Sequence, residues 1–125
     1  MYYVYIVRCA DNSLYTGIAA NWQRRISEHF YQGKKCAKYT KSHKVKQIAA
    51  LWSVEDKSAA LKIEKKIKSL TKYRKEKLIE SGSFDSEIFD GIEAEYIKNA
   101  SMEECINKQQ WNRLHWADGF LSYKN

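Results

Sequence analysis

The sequence predicts an α/β domain: a small, mostly antiparallel three-stranded sheet flanked by helices, with a helical carboxyl-terminal extension. Three observations point there. Two short runs rich in β-branched and aromatic residues, Tyr2 to Cys9 and Leu14 to Ile18, flank the polar turn Asp11-Asn12-Ser13, which is the pattern of a hairpin. A short apolar segment bounded by charge, Gln47 to Val54, reads as a third, central strand. Apolar residues at helical spacing, Ala60, Ile63, Ile67 and Leu70, mark the clearest helix, Asp56 to Leu70.

Period two decides which tyrosines meet in the hairpin. Tyr3, Tyr5 and Val7 share one face of the first strand, and Tyr2, Val4 and Ile6 share the other. Tyr15 and Gly17 share a face of the second strand. The hairpin therefore brings Tyr5 and Tyr15 onto one surface, with Gly17 leaving room beside them. A helix follows at once. Asn21 is its N-cap candidate, because the side-chain oxygen accepts an orphan N–H of the first turn. At 100° per residue Trp22, Ile26 and Phe30 form its buried stripe. Arg25 and His29 lie at the edge of that stripe, and Arg24 points to solvent. Gly33 reads as the left-handed residue that ends the helix.

Lys34 to Lys46 carries six lysines interleaved with Tyr39, Thr40, Ser42 and His43. Part of it reads as a short helix or turn. Lys34, Lys35, Lys38 and Lys41 around an aromatic, Tyr39, suit a phosphate backbone with an unstacked base. A solvated loop fits the composition equally well. In Gln47 to Val54, Trp52 reads as core. On the Asp56 to Leu70 helix, Asp56 or Ser58 caps, and the lysines mostly face out. Glu64 falls on the apolar side. A carboxylate there must be paired, hydrogen-bonded, protonated or metal-bound, because burying it bare is costly. Lys68 at i+4 is one candidate partner. Thr71 opens a further helix to Ser81 with Leu78 and Ile79 inward. Ser81-Gly82-Ser83 reads as a linker between residues 1–82 and an extension, 83–125. Two helices are expected there, about Ser86 to Asn99 and Ser101 to Leu114, the second opened by the capping-box pair Ser101 and Glu104.

Charge divides along the chain. The first 82 residues hold 18 Lys and Arg against 7 Asp and Glu; the rest hold 4 against 8. A basic domain favours a polyanion, nucleic acid being the usual one. No apolar run approaches the ~20 residues that a membrane helix needs, and no secretory signal opens the sequence. Cys9, Cys36 and Cys105 have neither disulfide-framework nor zinc-ligand spacing. A reducing cytoplasm is the expected compartment.

The ordered set Val4-Tyr5-Ile6, Tyr15-Thr16-Gly17, Arg25, His29 and Glu64 resembles the GIY-YIG nuclease signature. It is most similar to that of the small stand-alone bacterial members. Ala37-Lys38-Tyr39-Thr40 also resembles a stretch of those proteins, which favours nucleic-acid contact by Lys34, Lys35, Lys38, Tyr39 and Lys41. The resemblance covers roughly the first 82 residues. It implies a divalent-metal-dependent endonuclease acting on DNA, in repair or recombination. Glu64 would hold one Mg²⁺ or Mn²⁺, and Arg25 would take a non-bridging phosphate oxygen. Tyr5 or Tyr15 would deprotonate or orient the attacking water, and His29 would bond a tyrosine or the phosphate and relay a proton. Two other classes stand beside it. One is a module of this fold that binds nucleic acid without cutting. The other is an interaction domain working through the acidic, aromatic extension, which would also serve a homodimer.

Overall fold

A computed structural model of the chain describes residues 1–82 and 86–106, and of residues 86 and 87 the backbone alone. One antiparallel sheet organises it. Strands β1 (Tyr2–Cys9), β2 (Leu14–Ala19), β3 (Val45–Val54) and β4 (Ala94–Tyr96) lie in the order β2-β1-β3-β4. The hairpin turn is built as its residue types require. Asn12 takes a left-handed φ of 70°, and the Ser13 amide donates to Asp11 Oδ1 at 3.0 Å. The β1–β2 register sets Tyr5 opposite Gly17 and Val7 opposite Tyr15.

The two faces of β1 feed two cores. Val4 and Ile6 pack with Ala50, Trp52, Ala60, Ile63 and Ile67, so helix α3 (Lys57–Lys68) covers that face. Tyr5 and Val7 pack with Trp22, Ile26 and Leu51, so helix α1 (Trp22–Phe30) covers the other. Both faces are covered, which is why β1 reads as a continuous apolar run. Trp52 is core, with Phe89 and Tyr96 against it. The expected caps form: Asn21, Asp56 and Thr71 each accept from the third residue on. Between α1 and β3 lies helix α2 (Lys38–Ser42); α4 (Lys72–Ser81) follows α3. Arg8 on β1 and Glu76 on α4 form a two-point ion pair at 2.7 and 2.8 Å.

Four expectations change. The sheet has four strands rather than three. Residues 86–99 do not form one helix: α5 (Ser86–Phe89) stops at Asp90 and Gly91, which take φ values of 41° and 79°, and β4 then pairs with β3. Two successive left-handed residues cannot continue a helix. At the end of α1 it is Gln32, φ 53°, rather than Gly33 that turns left-handed. Its side-chain amide donates to the carbonyls of Thr40 and Lys41, which anchors it. Gly82, read as linker, is buried as the left-handed C-cap of α4 with the Tyr96 ring against it. Helix α6 (Met102–Cys105) opens where Ser101 predicts, the Ser101 amide donating to Glu104 at 3.0 Å. The rest of the expected helix to Leu114, and the aromatic end beyond it, lie outside the described residues. No helix among the described residues is long and apolar enough to cross a membrane.

Candidate active site

Three elements converge on the Tyr5 face of the sheet. The phenol of Tyr5 is 1% exposed and lies 2.8 Å from His29 Nε2. Gly17 across the ladder makes this possible. A Cβ there would sit 2.4 Å from the Tyr5 oxygen. Tyr15, half-buried, places its ring 5.3 Å from that of His29. The expectation that a glycine clears space for two tyrosines on one surface therefore holds as geometry.

His29 is fully buried, not at the edge of a stripe. Its Nδ1 lies 2.7 Å from Thr40 Oγ1 and accepts from the Ala37 amide at 3.4 Å. Burial and then the Arg25 charge lower its pKa to about 3, so the ring is neutral near neutral pH. Both nitrogens are occupied, which leaves neither open to a phosphate in this arrangement. Tyr5 moves the other way. Burial first, then Tyr15, and lastly the Glu64 carboxylate raise its pKa well above the ordinary value, against the charge and hydrogen bond of Arg25. Tyr5 is accordingly a neutral phenol.

Arg25 and Arg24 divide as expected, one half inside and one out. Arg25 Nη1 donates to Glu28 Oε1 at 3.0 Å and to the Lys35 carbonyl. Burial opposes its charge, but the bond to Glu28 and the nearby Tyr5 outweigh that and raise its pKa. Glu64 on α3 is 17% exposed and pairs with Lys68 Nζ at 3.3 Å. Lys68 Nζ also lies 5.8 Å from the centre of the Tyr15 ring. The ion pair at i+4 is thus real, and the Glu64 charge still reaches Tyr5. Among the described residues no three acids, histidines or cysteines gather into a metal cage.

The lysine-rich segment borders this site. Lys34, Lys35, Lys38 and Lys41 are exposed. Tyr39 is not a free platform: it stacks on His43 at 3.9 Å and lies nearly parallel to Tyr15 at 5.8 Å. Two residues of the site carried no expectation. Glu28, 8% exposed, had a signal, since it sits three after Arg25 and four after Arg24. Thr40, fully buried, had none beyond its place in the Ala37-Lys38-Tyr39-Thr40 stretch.

The model of the GIY-YIG catalytic domain matches residues 1–77. The chain belongs to the GIY-YIG family. This GIY-YIG chain therefore has a nuclease fold. The UPF0213 protein of Fusobacterium nucleatum is 44% identical over 78 residues, 62% of this chain and 76% of that one. UPF0213 protein YhbQ of Escherichia coli is 37% identical over 98 residues, 78% and 96% of the two chains. The solution NMR structure of a UPF0213 protein from Bacillus halodurans is 35% identical and gives a TM-score of 0.41. That match covers 65% of this chain and 85% of the other.

Proposed function

We propose that this GIY-YIG protein is an endonuclease that hydrolyses phosphodiester bonds in DNA with a divalent metal ion. The observation that carries the reading is the approach of Tyr5, Tyr15, Arg25 and Glu64, from four elements, to one site with a buried hydrogen-bonded histidine.

Each group suits one need of phosphodiester hydrolysis. Arg25 is a planar, permanent cation held by Glu28 and a backbone carbonyl, so its fork is preset for a non-bridging oxygen. Tyr15 is the more accessible phenol and orients the attacking water. Tyr5, enclosed and neutral, is a hydrogen-bond donor rather than a base. His29 stays neutral and holds Tyr5 in place. Glu64 offers one partly exposed carboxylate, an oxygen donor, and among the described residues no group of three acids, histidines or cysteines forms a cage. That fits Mg²⁺ or Mn²⁺, which take one or two carboxylates and complete the shell with water and phosphate. A bound ion would neutralise phosphate charge and favour departure of the leaving oxygen. The exposed Lys34, Lys35, Lys38 and Lys41 would track the backbone beside the site.

The test is nicking of plasmid and branched DNA with Mg²⁺ or Mn²⁺, wild type beside Arg25→Ala. Metal-dependent products from wild type and at least a hundredfold less from the variant are expected; equal rates would sink the reading. A second reading, binding without cutting, is favoured by the Lys68–Glu64 pair, which already satisfies the acid. Salt-dependent binding with no products under any divalent ion would select it.

A further inference from the structure

The proposed chemistry uses Tyr5 but leaves open which way its hydroxyl hydrogen points. We infer that Thr40 is a positioning residue that fixes the tautomer of His29, and thereby makes Nε2 a donor to the Tyr5 oxygen and leaves the phenol hydrogen for an acceptor at the site. This rests on the nuclease reading for its ligand alone.

The geometry settles the direction of each hydrogen bond in turn. A backbone amide only donates. The Ala37 N–H is aimed at His29 Nδ1 at 3.4 Å, so a hydrogen on Nδ1 would face another hydrogen. Thr40 Oγ1 is closer, at 2.7 Å, and its one hydrogen has two possible acceptors, Nδ1 and the Ala37 carbonyl at 3.2 Å. That carbonyl already accepts from the Lys41 amide at 3.1 Å. A carbonyl oxygen can take a second hydrogen, but Oγ1 stands 2.7 Å from an Nδ1 that carries none, so the threonine hydrogen lies between them. A neutral imidazole with an acceptor at Nδ1 carries its hydrogen on Nε2. Nε2, 2.8 Å from the Tyr5 oxygen, then donates to it. Arg25, the cation that acts on the Tyr5 phenol, is no acceptor either. With Nε2 donating to the Tyr5 oxygen, the phenol hydrogen is not taken by His29 and can serve another acceptor. All three of Tyr5, His29 and Thr40 are at most 1% exposed, so no solvent competes for these bonds.

The segment that carries Thr40 also carries Lys38 and Lys41, both exposed. Backbone contact by those lysines and orientation of Tyr5 thus share one five-residue helix.

Two-bond ¹H–¹⁵N NMR of the full chain labelled at histidine reads the tautomer directly, with His29→Gln to assign the signals. Wild type should show Nε2 protonated and Nδ1 shifted as an acceptor. Thr40→Val should move the Nδ1 resonance towards that of a free nitrogen, and Thr40→Ser should restore it. In cleavage, Thr40→Val should lower kcat tenfold or more with KM held, and Thr40→Ser should recover most of it. A hydrogen on Nδ1 in wild type, or an Nδ1 resonance indifferent to Thr40→Val, overturns the inference. The spectra contain no DNA. A chain with the expected tautomer that cuts nothing would refute the nuclease reading and leave the Thr40 assignment standing.

Discussion

Gly17→Ala tests whether space beside β2 builds the site. The new Cβ would lie 2.4 Å from the Tyr5 oxygen, 2.6 Å from Cζ and 3.0 Å from Cε1. Ordinary contact begins near 3.4 Å, so the ring must retreat by about 1 Å. Tyr5 is a rigid ring in a packed core, not the free end of a flexible chain. Overpacking of this kind costs about 1–3 kcal/mol. Retreat also stretches the 2.8 Å bond to His29, and a buried group left unpaired costs about 1–3 kcal/mol more. Since a partial retreat shares the two costs, a loss of about 2–4 kcal/mol is expected. At a urea m-value of about 1–2 kcal/mol/M the unfolding midpoint should fall by at least about 1 M. Nuclease activity should fall with it, because the phenol has left its place. A midpoint within about 0.3 M of wild type would refute the packing argument.

Two further outcomes follow from titrating groups. Arg8 holds the Glu76 carboxyl below its ordinary pKa through a hydrogen bond and its charge, with Lys72 adding a little. A depressed acid stabilises the fold above its unfolded pKa and loses that contribution as pH falls through the folded value. Arg8→Met should therefore cost about 1 kcal/mol near pH 7, with the gap from wild type closing below about pH 4.5 in urea melts. A constant gap from pH 7 to the acid limb would contradict this. His29, buried neutral, takes up no proton until about pH 3, whereas the unfolded chain does so below about 6.5. Unfolded chains then bind more protons across that window, so stability falls as pH falls, by up to about 1.4 kcal/mol per unit from this one group. His29→Gln should flatten the stability profile between about pH 6 and 4; parallel profiles would show that His29 titrates normally.

Much of the site was legible because it obeys periodicity. Alternation along β1 and β2 put Tyr5, Tyr15 and Gly17 on one face, and the 3.6-residue period separated Arg25 from Arg24 and turned Glu64 inward. Cap chemistry placed the starts of α1, α3 and α4 at Asn21, Asp56 and Thr71. What escaped shows a misleading period or none. Ile88, Ile92 and Tyr96 repeat every four residues and imitate a helix, while Asp90-Gly91 between them is a turn dipeptide that breaks it. A three-residue edge strand such as Ala94–Tyr96 carries too few residues to show alternation. Thr40 is buried by a partner eleven residues away, His29, which no local pattern records. Gln32 turns left-handed beside a glycine because its amide is tied to α2, again a tertiary reason.

The division of labour between Glu64 and the basic segment is tested most directly by one comparison. DNA binding and Mg²⁺- or Mn²⁺-supported cleavage should be measured on the same preparations of wild type and Glu64→Gln. Glu64→Gln should bind DNA within about threefold of wild type, since the lysines and not this acid are proposed to hold the backbone, while cleavage falls by a factor of a hundred or more. Cleavage by Glu64→Gln at the wild-type rate would contradict it.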